Sequence, residues 1–209
     1  MRFSRASIAL LSVLAVSSLT VAACSGPSEP TAATPVADGA APAGSAAAAP
    51  AIAPFLTSDC AAPATPVPSD APPADAQGSD GVFVTLGPQG VPAVTISDMA
   101  PDATTLQSID LSQGKGDPVA PGDTISVNYC GVGLDSRQVF DSSWARGEPI
   151  TFGLDGLIQG WSDGLTGMRV GGERVLVIPG ALAYGANPPT PAIGPNETLV
   201  FVIQLLAIE

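Results

Sequence analysis

The stretch Gly156-Leu157-Ile158-Gln159-Gly160-Trp161-Ser162-Asp163-Gly164-Leu165 limits the possible folds more than any other part of this chain. Leu157 or Ile158, then Trp161, then Leu165 recur at three- and four-residue spacing, which puts them on one helical face. Gly156, Gly160 and Gly164 are poor helix formers, but without a Cβ they let a neighbouring backbone or a ligand come close. Runs of β-formers surround this helix: Thr124 to Cys130, Ile150 to Leu154, Arg174 to Ile178 and Thr198 to Leu206. One short helix among such strands indicates an α+β fold, an antiparallel sheet strongly twisted over the helix. Trp161 would then floor whatever cavity sheet and helix enclose.

Other strand signals lie upstream. Val82 to Thr85 and Val94 to Ser97 read as a hairpin turning around Gly87 to Pro92. They define an N-terminal strand extension, residues 81–102, expected to add to the main sheet. Thr104 to Leu111 is a further strand candidate at the start of the main domain, residues 103–209. Gly167 to Gly172 makes a turn, and Pro179 to Pro195 a long loop.

Charge and residue usage narrow the chemistry. The chain has 7 basic and 19 acidic residues and no histidine. Nucleic acid is an improbable partner for a chain without a basic face. Without histidine, the commonest general base and metal ligand are missing. Three scattered cysteines do not make a zinc site. No metal and no cofactor are expected.

Residues 1–23 read as an export signal. Arg2 and Arg5 form a basic start, Ile8 to Val16 is apolar, and Val21-Ala22-Ala23 leads into Cys24. The apolar run is short for a membrane span. Small residues directly before a cysteine look like a bacterial lipobox, with cleavage before Cys24 and acylation of its thiol. A plain signal peptide with a chance cysteine is the alternative. Lipidation at Cys24 would hold the exported chain on the outer face of a bacterial cell membrane.

Residues 24–80 read as a disordered Ala/Pro-rich acidic tether. Between Ser25 and Asp80 lie 11 of the 22 prolines and six acids, with no Lys or Arg. Such composition buries too little apolar surface to offset chain entropy. Cys60 and Cys130 remain as an even pair, which in an exported chain admits a disulfide. Cys130 follows Tyr129 in a strand, so their side chains face opposite ways. With Tyr129 inward, Cys130 is outward, within reach of an incoming N-terminal segment.

Val139-Phe140-Asp141-Ser142-Ser143, Leu157-Ile158-Gln159-Gly160-Trp161, Ala183-Tyr184-Gly185 and Thr198-Leu199-Val200-Phe201 stand in a telling order. With Tyr129 and the turn at Gly167 to Gly171, this series resembles the FKBP-type peptidyl-prolyl cis-trans isomerases from about Thr104 to Glu209. The resemblance implies a half-barrel of antiparallel strands around one α-helix, with an aromatic pocket that receives proline. Carried over position by position, it implies pocket roles for Tyr129, Phe140, Asp141, Phe152, Ile158, Trp161, Tyr184 and Phe201. Leu157, Ile150 and Ile193 follow as substrate-binding residues. Ile150 departs from an aromatic residue usual at the rim. Within the loop from Ala186 to Gly194, the histidine and glycine often found there are replaced by Pro188, Pro189 and Pro191.

Singly, each position has a plainer reading. Trp161 and Phe152 fit a plain core, Tyr129 and Tyr184 fit sheet edges, and Asp141 could cap the turn at Ser142 and Ser143. Their joint arrangement carries the functional reading. The resemblance implies isomerisation of X-Pro bonds in exported polypeptides, macrolide ligands in the same pocket, and a monomer. The alternative is a catalytically weak proline-binding or chaperone module.

Overall fold

A computed structural model describes residues 54–209. The expected signal, Cys24 and the first part of the expected tether lie outside the described residues.

Two antiparallel sheets make up the fold. The first contains β1 (Phe55–Asp59), β2 (Val67–Ser69), β3 (Gln77–Ser79), β4 (Val82–Leu86) and β5 (Pro92–Ser97), in the order β2-β1-β5-β4-β3. The second contains β6 (Gln107–Ser112), β7 (Thr124–Gly133), β8 (Val139–Ser142), β9 (Ile150–Gly153), β10 (Glu173–Ile178) and β11 (Leu199–Ile208). Its order is β6-β10-β11-β7-β8, with β9 also paired to β7. Among the described residues two α-helices interrupt the strands, α1 (Ser143–Arg146) and α2 (Gln159–Leu165).

The second sheet is covered on both faces, and side-chain alternation shows how. Ile125, Val127 and Tyr129 of β7, Leu176 and Ile178 of β10, and Leu199, Phe201, Ile203 and Leu205 of β11 pack with Trp161 and Leu165 of α2. The intervening residues Cys130, Val132, Val175, Val177, Val200 and Val202 pack with Val82, Val84, Val94 and Ile96 of the first sheet. Leaving such a side chain in water costs about 1.5–3 kcal/mol. The first sheet is therefore an integral layer of this fold. Double coverage also explains why β11 is apolar almost throughout rather than alternating.

Four expectations change here. Residues 54–80 are not a tether: they supply β1, β2 and β3. β1 pairs with β5 from Phe55↔Ser97 to Asp59↔Ala93, so its partner lies far along the chain. Local composition cannot report such a partner, and the pairing satisfies backbone groups in a segment with little apolar surface of its own. Secondly, the hairpin β4–β5 does not extend the main sheet but centres a sheet stacked on it. Thirdly, the helix begins at Gln159. Leu157 and its N-cap Ile158 are extended, following a short 3₁₀ turn at Leu154–Gly156. β6 likewise begins at Gln107 rather than Thr104.

Gly160 and Gly164 set how closely α2 lies on β10. A Cβ at Gly164 would stand 2.7 Å from Leu176 Cδ2, and one at Gly160 would overlap the Ile178 side chain. Both glycines trade helix propensity for contact with the sheet.

Candidate functional site

The concave face of the second sheet and α2 enclose a cavity of about 470 Å³. Its base is Trp161, buried at 4% exposure. Three rings meet the indole edge-to-face, a favoured aromatic geometry. Phe201 lies at 5.3 Å between centroids, Tyr129 at 5.5 Å and Phe152 at 6.0 Å. Phe140 extends the wall, 5.6 Å from Phe201. Gly131 of β7 makes room for them, since a Cβ there would overlap Phe140 and come within 2.9 Å of Phe201.

Sheet register aims these rings. Val127↔Ile150 and Ile125↔Phe152 align β9 on β7, placing Ile150 and Phe152 beside the inward side chains of β7. Leu157 and Ile158 enter because the chain is extended just before α2. The Ile158 backbone N–H finds no partner among the described residues. Tyr184, at 37% exposure, lines the cavity from the loop after β10.

One edge of the cavity is polar. The Tyr129 hydroxyl donates to Asp141 Oδ2, and Arg146 pairs with Asp141 Oδ1. Arg146 also donates to the Tyr129 hydroxyl at 3.1 Å and stands 5.5 Å over its ring. Asp141 is thus not the turn cap. Ser142 caps α1, accepting from the Ala145 N–H at 3.3 Å.

Burial, then the hydrogen bond to Asp141, pushes the Tyr129 hydroxyl up to about 12. Burial, and then the Asp141 charge, also raises Tyr184. The hydrogen bond to Tyr129 raises Arg146, against a smaller opposing effect of burial. For Tyr129 the folded state holds the proton more tightly than the unfolded chain. The resulting stability is complete below pH 10 and is lost as pH rises towards 12. Urea unfolding between these limits should show a steep decline for the parent and a shallower one for Tyr129→Phe. Equal slopes would remove Tyr129 as the cause.

Of the expected site residues, Tyr129, Phe140, Asp141, Ile150, Phe152, Leu157, Ile158, Trp161, Tyr184 and Phe201 come together around the cavity. Ile193 does not. It belongs to the proline-rich loop and turns into the core, buried at 4% exposure. An aliphatic residue in a Gly/Pro loop has no strong claim to the site when the core can take it. Arg146 is a lining residue that the sequence did not point to. Its signal was faint: a basic residue at the C-terminus of a four-residue helix, five positions after Asp141. Cys60 and Cys130 are disulfide-bonded, with Cα atoms 5.8 Å apart. Among the described residues, no group of three or more Cys, Asp and Glu is gathered as metal ligands would be.

Comparison with known proteins covers this same region. The family model described as FKBP-type peptidyl-prolyl cis-trans isomerase matches residues 116–206. The chain is 48% identical over 99 residues to the FKBP-type peptidyl-prolyl cis-trans isomerase FkpA of Escherichia coli, covering 47% of this chain and 36% of that one. It thus spans little more than a third of that relative's length. The FK506-binding protein of Streptomyces anulatus is 44% identical over 102 residues, covering 47% of this chain and 82% of that protein. The crystal structure of FkpA from Escherichia coli aligns with 44% identity and a TM-score of 0.47, over 52% of this chain and 51% of that one. Since more than four fifths of the Streptomyces protein is matched at that identity and the family model spans the strands that build the cavity, this chain belongs to the FKBP-type peptidyl-prolyl cis-trans isomerase family.

Proposed function

We propose that this chain isomerises X-Pro bonds in exported polypeptides while held by a lipid on Cys24 at the outer face of a bacterial cell membrane. The observation that carries the catalytic part is the apolar cavity floored by Trp161 and walled by Tyr129, Phe152 and Phe201. The lipobox-like sequence ending at Cys24 supports the anchor.

Rotation about an X-Pro bond is opposed by amide resonance, a barrier of about 18–20 kcal/mol, and unaided exchange takes tens to hundreds of seconds. The twisted transition state loses that resonance. Its carbonyl becomes less polar and its nitrogen more basic, so it gives up less on leaving water than the planar amide does. A preformed, water-poor cavity therefore binds the twisted form better than the ground state. The proline ring rests on Trp161. The backbone N–H of Ile158 and the hydroxyl of Tyr184, both on the cavity lining, hold substrate carbonyls. The Tyr129–Asp141–Arg146 edge keeps polar atoms paired along one wall, leaving the base apolar. Chemistry of this kind needs no covalent intermediate. Macrolides of the FK506 type fill the same cavity in this reading, and the protein acts as a monomer.

A protease-coupled assay on Ala-X-Pro-Phe peptides tests the catalytic part. Macrolide-sensitive acceleration is expected. Tyr184→Phe should lower kcat/KM severalfold, in keeping with one hydrogen bond worth about 1 kcal/mol. Folded protein that leaves the exchange rate at its uncatalysed value would overturn the reading. Mass spectrometry of envelope-derived protein tests the anchor, with a diacyl modification on Cys24 as the expected result.

A further inference from the structure

The Cys60 segment touches the site at a point that the isomerase mechanism does not use. Ser142 is buried, and its hydroxyl donates to the Cys60 carbonyl at 2.6 Å while accepting from Ala145 N–H at 3.3 Å. Ser142 faces Cys130 across β7 and β8, and Cys130 is bonded to Cys60. One covalent link and one hydrogen bond thus run from the first sheet to the same pair of facing residues.

That pair underlies the polar edge of the cavity. Tyr129 precedes Cys130, Asp141 precedes Ser142, and Arg146 ends the helix that Ser142 caps. The neighbouring Ser143 hydroxyl accepts from the Tyr129 backbone N–H at 2.8 Å and donates to Asn128 Oδ1 at 3.2 Å. The ion pair itself is open to water, with side-chain exposures of 39% for Arg146 and 42% for Asp141. Pairs so exposed are worth little and pay entropy to stay in register. Their alignment on Tyr129 needs a backbone held from beneath.

We infer that Ser142 and the Cys60 segment are positioning elements of the site: through them the first sheet braces Asp141 and Arg146 against Tyr129 and fixes the cavity's polar edge. The brace joins a layer outside the matched family region, residues 116–206, to side chains inside it. Its kinetic consequence rests on the proposed isomerase activity, but its structural consequence does not.

The test therefore has two arms, run on the full chain, on Ser142→Ala and on Cys60→Ala/Cys130→Ala, each at a temperature where circular dichroism shows it folded. The first is nitrogen NMR of Arg146. A guanidinium held by Asp141 and Tyr129 rotates slowly and gives separate Nη resonances; a released one gives an averaged signal. Separate signals are expected in the parent and averaged signals in both variants. Separate signals throughout would overturn the inference whatever the activity. The second arm is kcat/KM for Ser142→Ala, for Arg146→Ala and for both together. Ser142→Ala should lose about fivefold, and the double variant should be no slower than Arg146→Ala alone, because the two act through one contact. Losses that multiply, or a Ser142→Ala enzyme at parental rate, would also overturn it. A parent without isomerase activity would instead refute the proposed function, leaving the NMR arm to decide the brace.

Discussion

Trp161→Ala should lower kcat/KM for prolyl peptides by about a hundredfold, roughly 2.7 kcal/mol of transition-state stabilisation. The indole touches Tyr129, Phe152 and Phe201 and forms the base on which the proline ring would rest. Its removal leaves a wet hollow where the twisted amide needs a dry surface. The same substitution should cost about 3–5 kcal/mol of stability, as large core truncations do. Loss of folding could therefore imitate loss of catalysis. Trp161→Phe separates the two: it keeps an aromatic floor, should retain more stability than alanine, and should lose activity by a smaller factor. Urea titration of each variant, followed by the peptide assay at a temperature where both are folded, gives the comparison. A folded Trp161→Ala protein with parental kcat/KM would rule out the indole floor as a source of catalysis.

Removing the disulfide should have the second large effect. Cys60 and Cys130 close a loop with a sequence separation of 70. The chain-entropy relation gives about 4 kcal/mol for a loop of that size. Both cysteines are fully buried between the sheets, so the alanine pair also loses packing there. Cys60→Ala/Cys130→Ala should therefore unfold at a clearly lower urea midpoint than the parent. An unchanged midpoint would show that the first sheet docks on the second without help from the covalent link. Domains of this size have about 5–15 kcal/mol in hand, so the variant should still fold at low temperature.

The site was more legible in the sequence than the architecture around it. Ile125, Val127 and Tyr129 alternate along one strand, and that period alone places them on one face. Trp161 and Leu165 share a helical face for an equally local reason. Leu157 and Ile158 show where locality fails. Their spacing fits the helix, yet the chain is extended through both, and that extension admits them to the cavity. Arg146 was hidden because its role depends on Asp141 and Tyr129, which sheet register brings to it.

What the sequence alone determined is which residues can share a strand face or a helix face; the aromatic lining from Tyr129 to Phe201 came from the resemblance that its motifs carry. Tertiary structure alone decided that residues 54–80 join a second sheet, that Ile193 belongs to the core, and that Arg146 borders the cavity. Periodicity is a property of neighbours along the chain, whereas β1 on β5 and Ser142 on Cys60 are contacts across it. Their free energy arises only when distant segments together exclude water, so no local window of residues records it.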